Sequence, residues 1–221
     1  MKTLVSWSSG KDSAWMVHVL RTRGVPIAAL LTTVNEAADR VAMHAVRTDL
    51  VEAQAEAIGV PLWRVPIPSP CPNEVYERAM AAAVARAVAE GFTHVAFGDL
   101  FLEDIRQYRE QRLAGTGLTP IFPLFGADTS ALAREMMAAK LRARLTCVNP
   151  KHLPREFAGR DFEPALLAEL PPSVDPCGEN GEFHTFAYDG PMFARPIPIA
   201  TGITMERDGF VFTDILRAAL S

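Results

Sequence analysis

The first two-thirds of the chain alternates short apolar runs with segments whose apolar residues recur at a helical period. This alternation is typical of βαβ units, in which parallel strands are connected by helices. The apolar runs predict strands at residues 4–7, 27–34, 62–67, 95–97 and 144–148. The periodic segments predict helices at residues 13–23, 46–58, 73–90, 102–114 and 129–141. The sequence therefore predicts an α/β fold, a parallel sheet with helices on both of its faces.

The pattern changes near residue 150, beyond which several prolines break the chain into short pieces. Residues 197–205 then alternate in polarity, and Asp208-Gly209 separates them from the apolar residues 210–212. An Asp-Gly pair between two such segments indicates a β-hairpin. We therefore expect two domains, a larger α/β domain at residues 1–149 and a smaller α+β domain at residues 150–221.

The composition argues against several classes of protein. Hydrophobic residues make up 49% and charged residues 22% of the 221 residues, as in ordinary soluble proteins. The net charge of -4 gives no overall basic surface, so we do not expect nucleic acid as a partner. The three cysteines are far apart in the sequence, which argues against a zinc site or a disulfide framework. No apolar run approaches the roughly 18 residues of a membrane span, and the first residues do not resemble a signal peptide. We expect no membrane association and a cytoplasmic location.

A short polar loop connects the first predicted strand to the first predicted helix. Its residues are Ser8, Ser9, Gly10, Lys11, Asp12 and Ser13. The N–H groups at the start of a helix favour a polyphosphate, and small residues let the backbone approach it closely. The serine hydroxyls and the Lys11 ammonium add further donors. Asp12 would be repelled by phosphate unless it binds the accompanying Mg²⁺. The glycine spacing differs from both the Walker loop and the GxGxxG dinucleotide loop.

A second polar segment lies at residues 175–186, where loops are predicted. Within eight residues it carries two glycines, two carboxylates, an imidazole and a hydroxyl: Gly178, Glu179, Gly181, Glu182, His184 and Thr185. A loop with these groups can present several of them to one small ligand. Taken alone, the segment could equally be an ordinary surface turn.

The first loop resembles the SGGxDS loop of the PP-loop ATP pyrophosphatases, which hold ATP by its β- and γ-phosphates and cleave it between the α- and β-phosphates. Ser9 stands where that motif has glycine, and serine disfavours a positive φ. Together with residues 178–185, the loop makes the chain similar to the diphthine–ammonia ligase family over nearly its whole length. Further matching residues are Met43-His44, Gly98-Asp99, Arg106 with Arg109 and Glu110, residues 122–126 and residues 188–191.

This resemblance implies a Rossmann-like fold of the HUP type, with a PP-loop ATP-binding domain followed by a substrate-binding domain. It also implies an enzyme that uses ATP to adenylate a carboxylate, which in the family is that of diphthine on elongation factor 2. Ammonia then displaces AMP, and an amide is formed. The implied partners are ATP, Mg²⁺, ammonia and a carboxylate acceptor, either a small molecule or a protein side chain such as diphthine. The chain could also act as a homodimer.

The same resemblance assigns roles to individual residues. The residues that it implies for binding the phosphates of ATP are Ser8, Ser9, Gly10, Lys11, Asp12 and Ser13, and Asp12 is also the implied metal ligand. Adenosine falls near Thr32, Thr33 and His44, with Gly98 and Asp99 beside it. The acceptor falls to Arg106, Gly178, Glu179, Gly181, Glu182, His184 and Thr185. The implied catalytic residues are Lys11, Asp12, Glu179, Glu182 and His184. Any of the last three could accept a proton, and the sequence alone does not distinguish among them.

Two other functions stay open on the sequence alone. A PP-loop enzyme that modifies tRNA would need a basic RNA-binding extension or a catalytic cysteine pair; neither is visible, although Cys177 lies in the second segment. A protein that binds adenine nucleotides without turnover is the other alternative. Arg106, Arg109 and Glu110 are three and four residues apart on one helix face, so they could simply form surface salt bridges.

Overall fold

The structure, a computed structural model, describes residues 1–41 and 45–218. Its strands are β1 (Thr3–Ser6), β2 (Ile27–Asn35), β3 (Arg40–Val41), β4 (Leu62–Ile67), β5 (His94–Ala96), β6 (Thr119–Ile121), β7 (Arg142–Val148), β8 (Phe183–Asp189), β9 (Ile199–Arg207) and β10 (Phe210–Arg217). Its α-helices are α1 (Lys11–Thr22), α2 (Thr48–Ile58), α3 (Asn73–Ala89), α4 (Glu103–Leu113), α5 (Thr129–Ala138) and α6 (Pro164–Glu169). A 3₁₀ turn covers Arg155–Phe157.

Five strands form a parallel sheet in the order β4-β2-β1-β5-β6, and the short β3 pairs antiparallel with β2. In the central strand β1, Val5 lies opposite Leu30 on one side and opposite Ala96 on the other. After β1 the chain adds β2 and β4 on one side, and it later adds β5 and β6 on the other. The carboxyl ends of β1 and β5 therefore border the crevice in which sheets of this kind bind ligands.

Successive side chains of a strand point to opposite faces of the sheet, so both faces of the parallel sheet are apolar. Helices cover both faces and form two separate apolar cores with them. Val5 lies in one core together with Trp15 of α1 and Leu50 of α2. Leu4 lies in the other core together with Ala87 of α3. This arrangement confirms the predicted Rossmann-like α/β class.

The remaining strands form an antiparallel sheet in the order β8-β7-β10-β9. The hairpin predicted at Asp208-Gly209 is confirmed: φ is 54° at Asp208 and 79° at Gly209, as a tight two-residue turn requires. The strand predicted at residues 144–148 also forms, within β7, but it pairs with β8 and β10 rather than with the parallel strands. An apolar run does not reveal the direction of its partners, so its pattern could not distinguish the two sheets. The division into domains near residue 150 stays a prediction.

Within residues 1–41 and 45–218, no helix combines the length and the apolarity that crossing a membrane would require.

Candidate functional site

The loop between β1 and α1 follows a strand and opens a helix, as the sequence predicted, and the structure places it at the carboxyl end of the central strand. Gly10 is the N-cap of α1, and no side chain caps the helix there. The Ser8 hydroxyl lies 3.1 Å from that of Ser13, and the Ser13 hydroxyl donates to the Gly10 carbonyl at 3.0 Å. Gly98, just beyond β5, packs beside the first turn of α1: a Cβ placed on it would lie 3.4 Å from the Asp12 backbone. The two strand ends thus form one narrow site at the start of α1.

Ser9 has a left-handed backbone conformation, which glycine adopts more readily than serine. Its φ is 71°, its residue surface is fully buried, and its hydroxyl has no hydrogen-bond partner among the described residues. Its carbonyl accepts hydrogen bonds from Ala187 N and from Gln54 Nε2, both at 3.0 Å. The loop therefore keeps its left-handed turn in spite of the serine side chain, and the surrounding contacts must offset the strain.

Replacing Ser9 with glycine should therefore stabilise the protein. Relief of the positive φ is worth about 1–3 kcal/mol, and the extra flexibility of unfolded glycine costs about 0.5–1 kcal/mol. We expect the melting temperature to rise by about 2–4 °C, measured by thermal unfolding without ligand. The same replacement at Ser130, inside α5, should lower it, because glycine weakens a helix. A fall in melting temperature with Ser9→Gly would contradict this interpretation.

Lys11 connects the first loop to the second polar segment. Its side chain is 2% exposed, and Nζ donates to Asp12 Oδ2 at 2.9 Å and to the Cys177 carbonyl. Nζ also lies 5.3 Å from the centre of the Phe183 ring. Burial, the largest single effect, lowers the pKa of Lys11, but the charge and hydrogen bond of Asp12, with smaller contributions from Cys177 and Glu179, together outweigh it, and the pKa is raised. Its backbone N–H donates to Thr185 Oγ1 at 3.1 Å, which forms a second link between the two segments.

Asp12 has the properties of a single-carboxylate Mg²⁺ ligand. Oδ2 is paired with Lys11, whereas Oδ1 is buried and has no hydrogen-bond partner among the described residues. Burial raises the pKa of Asp12, and Lys11 offsets this only in part. Within the described part of the chain, no cluster of three or more His, Cys, Asp or Glu side chains could hold a metal alone. A Mg²⁺ ion held by one carboxylate together with substrate phosphates and water fits these residues.

The second polar segment is a compact loop held by its own carboxylates. Asp175 Oδ2 accepts from the N–H groups of Cys177 and Glu179, at 3.1 and 3.0 Å. Glu182 Oε1 accepts from Asp175 N at 2.9 Å and from Asn180 Nδ2 at 3.1 Å. Glu182 is 2% exposed, so this carboxylate lies inside the loop rather than on its surface. The segment is therefore an organised structure and not an ordinary surface turn.

Glu179 faces the carboxyl end of β5. Its Oε1 accepts from Leu100 N at 2.7 Å. Burial, and less strongly the charges of Asp12 and Asp99, raises the pKa of Glu179 to about 7, although the Leu100 hydrogen bond opposes this. Asp99 in turn receives two hydrogen bonds from Arg109, at 2.7 and 3.0 Å. A carboxyl group that gains and loses its proton near neutral pH therefore lies beside the first loop.

The raised pKa of Glu179 predicts how stability depends on pH. In the folded chain this group binds a proton between pH 4.5 and about 7 that it has released in the unfolded chain. Its contribution to stability is thus complete below the unfolded pKa and is lost as pH rises through about 7. Because Gln does not titrate, the melting temperature of Glu179→Gln relative to wild type should increase between about pH 5 and 8. Glu206→Gln, on the exposed strand β9, is the control, and equal behaviour of both variants would contradict the prediction.

A cavity of about 940 Å³ lies between the two sheets. The parallel sheet contributes Thr33 at β2 and Ile67 at β4, and the antiparallel sheet contributes His184 and the hairpin residue Phe212. Burial, with a smaller effect of Lys11, lowers the pKa of His184 to about 4, so its imidazole is neutral at neutral pH. The cavity is large enough for a ligand of nucleotide size. Thr32, the neighbour of Thr33, is 2% exposed.

The other predicted residues have the following places in the structure. Arg106 forms a salt bridge with Glu110 at 2.9 Å on the surface of α4, as the alternative interpretation of this helix face expected. Gly178 and Gly181 have φ values of 71° and 81°, which shape the second loop. Burial raises the pKa of Cys177 to about 12, so its thiol is protonated at neutral pH and is a poor nucleophile. His44 lies outside the described residues.

Two residues at the site were missed by sequence reasoning. Asp175 holds the second loop by accepting two backbone hydrogen bonds within it. Gln54 of α2 donates a hydrogen bond to the Ser9 carbonyl of the first loop. Gln54 gave one signal in the sequence: it is an uncharged polar residue between the apolar positions Val51 and Ile58 of a predicted helix. A buried amide at such a position must find hydrogen-bond partners.

Known proteins match the chain over nearly its whole length. The family model described as "Diphthamide synthase N-terminal domain" matches residues 1–119, and the one described as "Diphthamide synthase C-terminal domain" matches residues 128–220. The chain is 30% identical over 234 residues to the diphthine–ammonia ligase of Danio rerio, with 95% of this chain and 91% of that protein covered. It is 25% identical over 246 residues to that of Mus musculus, with 100% and 91% covered.

Among solved structures, the chain resembles a predicted subunit of tRNA methyltransferase from Methanocaldococcus jannaschii. The TM-score is 0.44 and the identity 18%, with 66% of this chain and 80% of that chain covered. A likeness at this level carries no argument about function. The family models, in contrast, match both parts of the chain in order. The chain belongs to the diphthine–ammonia ligase family.

Proposed function

We propose that the protein is an ATP-dependent ligase that forms an amide from a carboxylate and ammonia, with release of AMP and pyrophosphate. The observation that carries the proposal is the direct contact between the two loops. Lys11 donates to the Cys177 carbonyl through Nζ and to Thr185 Oγ1 through its backbone N–H. The loop suited to phosphates and the loop suited to an acceptor therefore belong to one site. The names of the relatives from Danio rerio and Mus musculus support the same reaction class.

In the first step, an acceptor carboxylate oxygen attacks the α-phosphorus of ATP, the bond to the β-phosphate breaks, and pyrophosphate leaves. The start of α1 and the small residues of the first loop are suited to bind the phosphates. Asp12 would hold Mg²⁺, which neutralises phosphate charge when it is bound. Lys11 is buried between the two loops, so its part in this step is to hold them together and to add positive charge near Asp12.

Adenosine and the acceptor are best accommodated in the 940 Å³ cavity. Its wall at Thr33 lies at the carboxyl end of β2, where open α/β sheets bind nucleotides. Its opposite wall, with His184 and Phe212, comes from the antiparallel sheet and suits the acceptor. Arg106, which is on the surface and paired with Glu110, could bind an acceptor only at the edge of the site.

In the second step, ammonia attacks the acyl carbon, AMP leaves with the former carboxylate oxygen, and a proton must be removed from the nitrogen. A proton acceptor works best when its pKa lies near the working pH. The pKa of Glu179 is about 7, whereas that of His184 is about 4. Glu182 is fixed within its own loop, where Oε1 accepts from Asp175 N and Asn180 Nδ2, while Oε2 is buried without a hydrogen-bond partner among the described residues. We therefore assign proton removal to Glu179, with Glu182 and His184 in supporting roles.

The decisive experiment separates the two steps. The purified protein is incubated with Mg²⁺-ATP, ammonium and an acceptor whose carboxylate is labelled with ¹⁸O, and the products are analysed by mass spectrometry. Diphthine-containing elongation factor 2 and a panel of small carboxylates serve as acceptors. We expect AMP that carries one ¹⁸O atom, together with the amide, and exchange of labelled pyrophosphate into ATP when ammonium is left out. ATP that binds but is never cleaved would favour a nucleotide-binding protein without turnover, and ADP as the product would exclude the mechanism.

A further inference from the structure

The first loop rests on a buried hydrogen-bond network that centres on Gln54 of α2. Gln54 is fully buried, and Nε2 donates to the Ser9 carbonyl at 3.0 Å and to the Ala187 carbonyl at 2.6 Å. Its Oε1 accepts from Trp7 Nε1 at 2.9 Å. Ala187 N also donates to the Ser9 carbonyl at 3.0 Å. One carboxamide therefore joins α2, the first loop and strand β8.

The orientation of this carboxamide is fixed by its partners. An indole N–H can only donate, so the group that faces Trp7 must be the oxygen of Gln54. The NH₂ group must then face the two carbonyls, which can only accept. Both N–H bonds and the oxygen are used, and no other side chain of similar size offers two donors and one acceptor without charge. The site therefore requires glutamine rather than a merely polar residue.

The Ser9 carbonyl is the atom through which Gln54 can act on the loop. Ser9 has a φ of 71°, a conformation that serine avoids, and its own hydroxyl makes no hydrogen bond among the described residues. Nothing in the Ser9 side chain therefore favours the turn. Its carbonyl, in contrast, receives two hydrogen bonds, from Gln54 Nε2 and Ala187 N. A rotation of this peptide toward negative φ would turn the carbonyl away from both donors.

We propose that Gln54 is a positioning residue, which holds Ser9 in the left-handed conformation and thereby keeps the first loop in the shape that binds ATP phosphates. The inference rests on the proposed function for its ligand, but the effect of Gln54 on Ser9 does not depend on it. In a relative with glycine at this position the turn would form without strain. In this chain the serine makes the loop depend on its hydrogen-bond partners. Gln54 and Ser9 should consequently be energetically coupled.

The test is a double-mutant cycle with Gln54→Met and Ser9→Gly. Methionine is similar in size to glutamine and apolar, so it removes the hydrogen bonds with little change in packing. Strain at one non-glycine residue corresponds to about tenfold to hundredfold in an equilibrium constant. By calorimetric titration with Mg²⁺-ATP, Gln54→Met should weaken binding by about tenfold or more. In the Ser9→Gly background the same substitution should weaken it by no more than about threefold.

Thermal unfolding without nucleotide gives a second, independent readout. If the loop of Gln54→Met relaxes and loses its strain, Ser9→Gly should raise the melting temperature less in that background than in wild type. A failure of the wild-type protein to bind ATP would remove the proposed function, while this unfolding cycle would still decide the role of Gln54. Equal increases in both backgrounds would overturn the inference. So would weakening of ATP binding that Ser9→Gly does not relieve.

Two further variants complete the test: one replaces Gln54→Met if that variant does not fold, and the other is a control for the effect of the substitution itself. Trp7→Phe keeps an aromatic ring but removes the N–H that orients Gln54. It should weaken ATP binding by a smaller factor than Gln54→Met does, and Ser9→Gly should again relieve the loss. This variant replaces Gln54→Met in the cycle if the latter does not fold. Gln107→Met on the exposed face of α4 is the matched control, since it makes the same chemical change away from the site. A Gln107 effect as large as that of Gln54 would contradict the proposal.

Discussion

Replacing Asp12 with asparagine should reduce ATP-dependent formation of AMP by about 10²–10³-fold, the usual cost of losing one preorganised charge-stabilising group. The carboxylate is the group whose free oxygen suits Mg²⁺, and an amide oxygen cannot supply the negative charge. Asparagine still offers Lys11 Nζ an acceptor in place of Oδ2, so the buried ammonium keeps a partner. The variant is measured by AMP release from radiolabelled ATP at saturating Mg²⁺.

The control for this prediction is Asp104→Asn, which makes the same change at an exposed position of α4. It should keep wild-type activity. Thermal unfolding of both variants distinguishes a damaged site from a damaged fold. If Asp12→Asn kept more than about a tenth of the wild-type rate, Asp12 would have no central role, and another group would have to bind the metal.

The second large effect is expected from Gly178→Ala in the second loop. Gly178 has a φ of 71°, and a Cβ placed there would lie 2.9 Å from the Phe183 carbonyl oxygen and 3.0 Å from carbons of its ring. The positive φ costs about 1–3 kcal/mol, and the overlap adds about 1–3 kcal/mol. We expect the melting temperature to fall by about 4–24 °C. Activity should fall as well, because Cys177, the residue before Gly178, provides the carbonyl that binds Lys11 Nζ, and a displaced loop would move it.

Gly181→Ala provides the matched comparison for this prediction. Gly181 belongs to the same loop and has a φ of 81°, but a Cβ there would meet no atom within 4 Å. Its substitution therefore adds backbone strain without overlap and should lower the melting temperature roughly half as much. Equal effects of the two substitutions would show that close contact with Phe183 is not what makes glycine necessary at residue 178.

The sequence was sufficient to predict the parallel sheet and both loops. A parallel strand that is buried on both faces is an apolar run, as in β2, whereas β4 alternates buried residues with the exposed Arg64 and Pro66. The two loops could be recognised because their polar residues are consecutive in the sequence. The contact between Lys11 and Thr185 could not be predicted in this way, since a hydrogen bond across 174 residues leaves no local pattern.

The features that could not be predicted from the sequence are either too short for a pattern or depend on contacts between distant parts of the chain. The strand at residues 144–148 was predicted correctly as a strand, but its partners depend on how the chain crosses from α5, which periodicity does not encode. Strands β3 and β6 have only two and three residues, too few for a pattern. Gln54 acts as a single residue through tertiary contacts. The phosphate role of Lys11 stays a prediction, while its buried contact with Cys177 was not foreseen.

The contact of strand β8 with the first loop has a consequence for how the chain can be divided. Cutting after residue 149 would separate Ser9 from Ala187 and Lys11 from both Cys177 and Thr185. A fragment with residues 1–149 would keep the residues of the loop but not the partners that shape it. Separately expressed halves should therefore bind nucleotide only when they are mixed and reassemble, and the intact chain should melt in a single cooperative transition.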